Sequence, residues 1–113
     1  PTPIKDVKEF ENVQFASTKL YPDVKENAMS TSFSHIFQGG YSSGYYSYKW
    51  AEVLDADAFE YFKEQGIFNS EVATKFKENI LSKGGTEHPM ILYKRFRGSE
   101  PKPDALLKRA GLL

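Results

Sequence analysis

Apolar side chains along this chain recur three and four positions apart, with no convincing alternation of two, so the pattern predicts helices joined by turns. Asp6 is a good N-cap for a first helix through VKEFENVQFASTKL, stopping at Tyr21 before Pro22. The polar STSFS run and the following His35, Ile36 and Phe37 make Pro22 to Gly40 mostly loop. A long helix from about Tyr41 to about Gln65, stopped by Gly66, directs Trp50, Leu54, Ala58 and Tyr61 or Phe62 toward a core. A third runs from an Asn69 or Ser70 cap to the glycine pair Gly84 and Gly85, with Val72, Phe76, Ile80 and Leu81 as its stripe. Thr86 is read as the cap of a fourth, EHPMILYKRFR, with Pro89 tolerated in its first turn. Met90, Leu92 or Ile91, and Phe96 are its buried side, and Gly98 ends it. After the SEPKP turn, Asp104 begins a short helix closed by Gly111. The expected fold class is all-α.

Composition narrows the functional classes. The 113 residues suffice for one domain with a modest core. Fifteen basic and fifteen acidic residues cancel, so neither nucleic acid nor an anionic membrane surface is indicated as a partner. No apolar run is long enough to span a bilayer. The chain has no cysteine, which removes any disulfide framework and is compatible with a reducing, cytoplasmic compartment.

One segment departs from ordinary core composition. Between Phe33 and Tyr48 lie His35, three glycines and four tyrosines. Gly39 and Gly40 allow positive φ and close approach of a ligand. Tyr41, Tyr45 and Tyr48 fall at i, i+4 and i+7, so a helix beginning near Tyr41 lines three phenols along one face. Aromatics at this spacing are most often core, and a histidine beside Ile36 and Phe37 is most often structural. Yet each buried hydroxyl needs a partner, an unpaired one costing about 1–3 kcal/mol, and a polar cleft meets that need better than a dry core. Glu52, Asp55 and Asp57 read as a solvated helix face. Lys94, Arg95 and Arg97 read as charges favouring a helix C-terminus, and His88 as a surface residue.

Three collinear blocks carry a family resemblance: SHIFQGGYSSGYYSYKWAEVLDADAF, GIFNSEVATKFKENILSKGGTEHPMILYKRFRG and EPKPDALLKRAGLL. In order and spacing they resemble the C-terminal signature of the thimet oligopeptidase family of zinc metallopeptidases, closest to its peptidyl-dipeptidase and oligopeptidase A branch. The match is strong over residues 33–113 and weak before them. The family holds zinc with a helical HExxH and a later glutamate, and this chain has no HExxH and only His35 and His88. The resemblance therefore implies a substrate-facing segment of a larger, two-lobed helical peptidase, a reading with which the absence of an initial methionine agrees.

By that resemblance Tyr48 is the catalytic residue, donating to the oxyanion formed at the scissile carbonyl. His35, Gly39, Gly40, Tyr41 and Tyr45 are the substrate-binding set, the glycines forming a loop that closes over the peptide. Gln38 departs from the small residue expected in many relatives, which affects loop contacts but not the spacing. Zinc is expected in the parent and not bound by this segment, which alone is expected to be inactive. Short peptides and the remainder of the catalytic domain are the expected partners, with self-association of the isolated chain favoured by uncovered apolar surface. Two parts are anticipated: residues 1–32, a helix and linker, and residues 33–113, the catalytic-domain segment. The competing reading is a non-enzymatic helical module that uses the Tyr/Gly loop to bind peptide or glycan.

Overall fold

A computed structural model describes residues 3–113. Those residues contain helices, turns and no strand, as the periodicity predicts. The helices are α1 (Val7–Phe15), α2 (Met29–Ser32), α3 (Ser47–Gln65), α4 (Ser70–Phe76), α5 (Pro89–Arg97) and α6 (Asp104–Arg109). A 3-10 turn covers Ser34–Ile36, and α4 runs on into a wide π turn, Lys77–Leu81. The chain divides into two compact units, one ending at Tyr46 and the other running from Ser47 to Leu113.

In the first unit Asp6 caps α1 as expected, its Oδ1 accepting the Glu9 N–H at 2.9 Å. The helix ends at Phe15, well short of Tyr21. Thr18 turns the chain there: its N–H and its hydroxyl both donate to the Phe15 carbonyl, at 2.9 and 3.0 Å. A Ser-Thr pair offers the backbone just this alternative to another helical turn. The loop predicted for Pro22 to Gly40 contains the short α2 and the 3-10 turn. Lys8 ties α1 to the following segment through Asn27 O and, at 2.8 Å, through Asp23.

In the second unit α4 and α5 pack on each other, and α3 packs on α6. Val72, Tyr93 and Phe96 form the buried centre, with Leu54, Ala58, Tyr61, Phe62, Phe76 and Ile80 around it. Phe96, only 1% exposed, meets Phe76, Tyr61 and Tyr93 edge-on at centroid distances of 5.1, 5.5 and 6.0 Å. Such edge-to-face pairs add about 0.5–1.5 kcal/mol each beyond buried area.

Several expectations need correction here. Trp50, predicted to face the core, is 50% exposed and lines an open groove instead. Leu81 is exposed because the π turn, closed by Ser82 N–H donating to Lys77 O at 2.9 Å, adds a residue and rotates it outward. The cap of α5 is His88 rather than Thr86: Nδ1 of His88 accepts the Met90 N–H at 3.3 Å. Pro89 then occupies N1, where its missing N–H removes no bond. At the other end Gly98 takes φ 85° and returns its N–H to Lys94 O at 2.8 Å, a left-handed stop that a side chain would strain. The predicted Asn69 cap and Gly98 stop, like the Asp6 cap of α1, are kept by the structure.

Candidate functional site

The segment between the 3-10 turn and α3 is a series of tight turns, not the start of a helix. Gly39 and Gly40 have φ of 72° and 75°, and Ser43 has φ 56°. Left-handed Ser43, inside the predicted span, excludes an α-helix running on from Tyr41, and α3 starts only at Ser47. Local bonds close the turns, Phe37 N–H to Ser34 O at 3.0 Å and Gly44 N–H to Tyr41 O at 2.8 Å. A Cβ at Gly39 would sit 3.5 Å from Tyr41 Cδ2, an ordinary contact, and one at Gly40 would meet nothing within 4 Å. Backbone conformation, not crowding, is what calls for glycine at both positions.

The turns nevertheless gather the rings. Phe33 and Tyr45 stand edge-to-face at 4.5 Å. His35 lies 5.4 Å from Tyr41 and 5.7 Å from Tyr45, and the two phenol rings are themselves 5.7 Å apart. His35 is exposed, while Tyr41 and Tyr45 are half-buried. An imidazole and two phenols therefore share one face of this unit beside the two left-handed glycines. The i, i+4 proximity of Tyr41 and Tyr45 survives, delivered by turns rather than by a helix. Tyr48 belongs to the other unit, in the first turn of α3, with 49% of its surface exposed.

Sequence reasoning missed a second polar constellation inside the second unit. Asp57, read as part of a solvated face, is only 7% exposed. The Tyr93 hydroxyl donates to its Oδ2 at 2.6 Å and lies 3.4 Å from Leu54 O. Arg97, read as a dipole-complementing charge, is largely buried and approaches the same Oδ2 with Nε at 3.4 Å. That approach is a charge contact without hydrogen-bond geometry, and Nε has no other partner. The other guanidinium nitrogens reach Glu64 at 3.2 Å, and the group lies over the Tyr61 ring at 4.7 Å. Burial, and then the bond to Asp57, push the Tyr93 phenol far above its ordinary range, so it stays a neutral donor. The only sequence signal was spacing: Tyr93 and Arg97 lie one turn apart, as do Asp57, Tyr61 and Glu64.

Among the described residues no cluster of three or more His, Cys, Asp or Glu is placed to hold a metal ion. Nor is any described helix long and apolar enough to cross a membrane.

Comparison with known proteins accounts for the pattern. The family model of Peptidase family M3 matches residues 3–112, which includes residues 3–32 of the stretch that the motifs left weakly supported. Oligopeptidase A of Escherichia coli is 62% identical over 81 residues, covering 72% of this chain and 12% of that protein. The organellar oligopeptidase A of Arabidopsis thaliana is 44% identical over 117 aligned residues, covering 100% of this chain and 14% of that protein. The dipeptidyl carboxypeptidase of E. coli is 38% identical over 110 residues, covering 96% of this chain and 16% of that protein. The chain thus spans between 12% and 16% of the length of these relatives. With the family model covering nearly its whole length and its three sequence blocks in order, the chain belongs to peptidase family M3, in the oligopeptidase A branch.

Proposed function

We propose that this chain is the substrate-facing segment of a zinc-dependent peptidase that hydrolyses short peptides, of oligopeptidase or peptidyl-dipeptidase type. The observation that carries the reading is the imidazole and paired phenols of His35, Tyr41 and Tyr45, set beside two left-handed glycines in a chain of family M3. Zinc, held by ligands in another part of the polypeptide, would supply Lewis-acid chemistry toward the carbonyl and the attacking water.

The residues of this chain do the rest of the work. Tyr48 donates a neutral hydrogen bond to the oxyanion that develops on the scissile carbonyl, stabilising a charge that the ground state lacks. His35, Tyr41 and Tyr45 hydrogen-bond and pack against the peptide, and the Gly39–Gly40 turn closes over it and excludes water. The segment alone has no peptidase activity. Cytoplasm is the compartment we propose for the whole polypeptide.

In the complete polypeptide, Tyr48→Phe is expected to lower kcat on a quenched short peptide by about a hundred- to a thousandfold with the melting temperature unchanged. Unaltered kcat in that variant overturns the assignment. Chelator-sensitive cleavage by the purified 113-residue chain overturns the inactivity of the segment.

A further inference from the structure

The polar cluster of the second unit, buried at Asp57 and Tyr93 and open to solvent at Glu64, lies outside the groups just assigned to peptide hydrolysis, and its layout is specific. Leu54, Asp57, Tyr61 and Glu64 follow one another at helical spacing along a single face of α3. Opposite them, Tyr93 and Arg97 stand one turn apart on α5. Each contact in the set crosses between these two helices: Tyr93 to Asp57 at 2.6 Å, Arg97 to Asp57 at 3.4 Å, and Arg97 to both oxygens of Glu64 at 3.2 Å. Arg97 also covers the face of Tyr61.

We propose that Tyr93 and Arg97 are positioning residues that lock the axial register of α3 and thereby set the position of Tyr48; the inference rests on the role assigned to Tyr48 above. Hydrocarbon packing fixes how far apart two helices lie but resists sliding weakly, because ridges and grooves repeat along each axis. Directed bonds do resist it. A shift of one residue, about 1.5 Å along the helix, breaks a 2.6 Å hydrogen bond and a two-pronged guanidinium–carboxylate pair together. Asp57 and Tyr48 lie nine residues apart on one uninterrupted helix, so register imposed at Asp57 is transmitted to the phenol. An oxyanion donor works within a window of about 2.7–3.1 Å, and a misplacement of about 1 Å costs up to a hundredfold in rate. Stability alone does not call for this arrangement, since well-packed apolar residues in place of a buried ion pair are often as stabilising. A defined register is what the polar version adds.

The test is steady-state kinetics of the complete polypeptide on a quenched short peptide, with Tyr93→Phe made in the wild-type and in the Tyr48→Phe backgrounds. Tyr93→Phe is expected to lower kcat about tenfold with KM changed less than twofold, and to have less than a twofold further effect once Tyr48 is already Phe. An equal loss in both backgrounds, or unchanged kcat with a lowered melting temperature, overturns the lock while leaving Tyr48 in place. Silence of Tyr48→Phe itself overturns the parent reading, and the lock with it. If Tyr93→Phe does not fold, Arg97→Lys serves instead, because it keeps the charge and loses the planar two-pronged contact. A threefold or larger drop in kcat, abolished in the Tyr48→Phe background, is then expected, and its absence overturns the lock.

Discussion

Ser30 donates to Glu11 twice, from its N–H at 3.0 Å and from its hydroxyl at 2.6 Å, and both bonds end on Oε2. The Met29 N–H reaches the other carboxylate oxygen at 2.7 Å. Helix α2 has no side-chain cap of its own at Ala28, so a carboxylate nearly twenty residues upstream satisfies its first N–H groups. The consequence is a link between two segments that depends on ionisation.

The first prediction follows from that link. The Ser30 hydroxyl bond, then the two backbone bonds, hold the Glu11 carboxyl down from 4.5 to about 2. A carboxyl depressed in the folded state binds its proton more readily in the unfolded chain. Its contribution is therefore complete above pH 4.5 and is lost as pH falls toward 2. Amide chemical shifts of Met29 and Ser30, followed against pH, should show this transition in the native chain and not in Glu11→Gln. Matching titrations in the two proteins would contradict it.

A second prediction concerns the core. Phe96→Ala removes the ring at the centre of the second unit and should cost about 3–5 kcal/mol in urea unfolding, through lost burial and a residual cavity. Phe68, 99% exposed in the turn before α4, is the control: Phe68→Ala should change stability by no more than about 0.5 kcal/mol. Similar losses for the two would mean that the core does not sit where it is described.

Third, the glycines of the tyrosine-rich turn are conformational. Gly40→Ala meets no steric neighbour but places an L-residue at φ 75°, a cost of about 1–2 kcal/mol. In the complete polypeptide this should appear as a loss of about five- to thirtyfold in kcat/KM, the same energy expressed as a rate ratio. Gly85→Ala, in open space and without positive φ, should be neutral. Equal effects of the two substitutions would remove the conformational explanation.

Fourth, the second unit carries an open apolar groove of about 460 Å³ whose walls include Trp50, Leu54, Phe59, Phe62 and Met90. Uncovered surface of this kind drives association. Light scattering of the isolated chain at micromolar concentration is expected to report particles heavier than one chain, with Trp50→Glu and Phe59→Glu together restoring the monomer. A strictly monomeric wild-type chain would refute this.

Much of the helical layout was legible because amphipathic spacing survives folding: Val72, Phe76, Ile80, Leu92 and Phe96 all turn inward as their periods require. The start of α3 was not legible, because aromatic spacing from Tyr41 to Tyr48 mimics a helix while Gly39, Gly40 and Ser43 impose turns. Ring proximity at His35, Tyr41 and Tyr45 was readable only in outline, since the same neighbours arise by a different backbone path. The Asp57–Tyr93 bond joins residues 36 positions apart. No local pattern reports which charged residue on one helix will be buried by the next, so Asp57 looked like its solvated neighbours.

Among the described residues up to Tyr46, the single buried side chain is the carboxylate of Glu11 rather than a hydrocarbon. Dehydrating a carboxylate contributes none of the heat-capacity change that apolar burial gives. The half of the chain that presents His35 and the glycines is therefore calorimetrically faint. Its order rests chiefly on directed hydrogen bonds such as those to Glu11 rather than on a fully buried apolar centre.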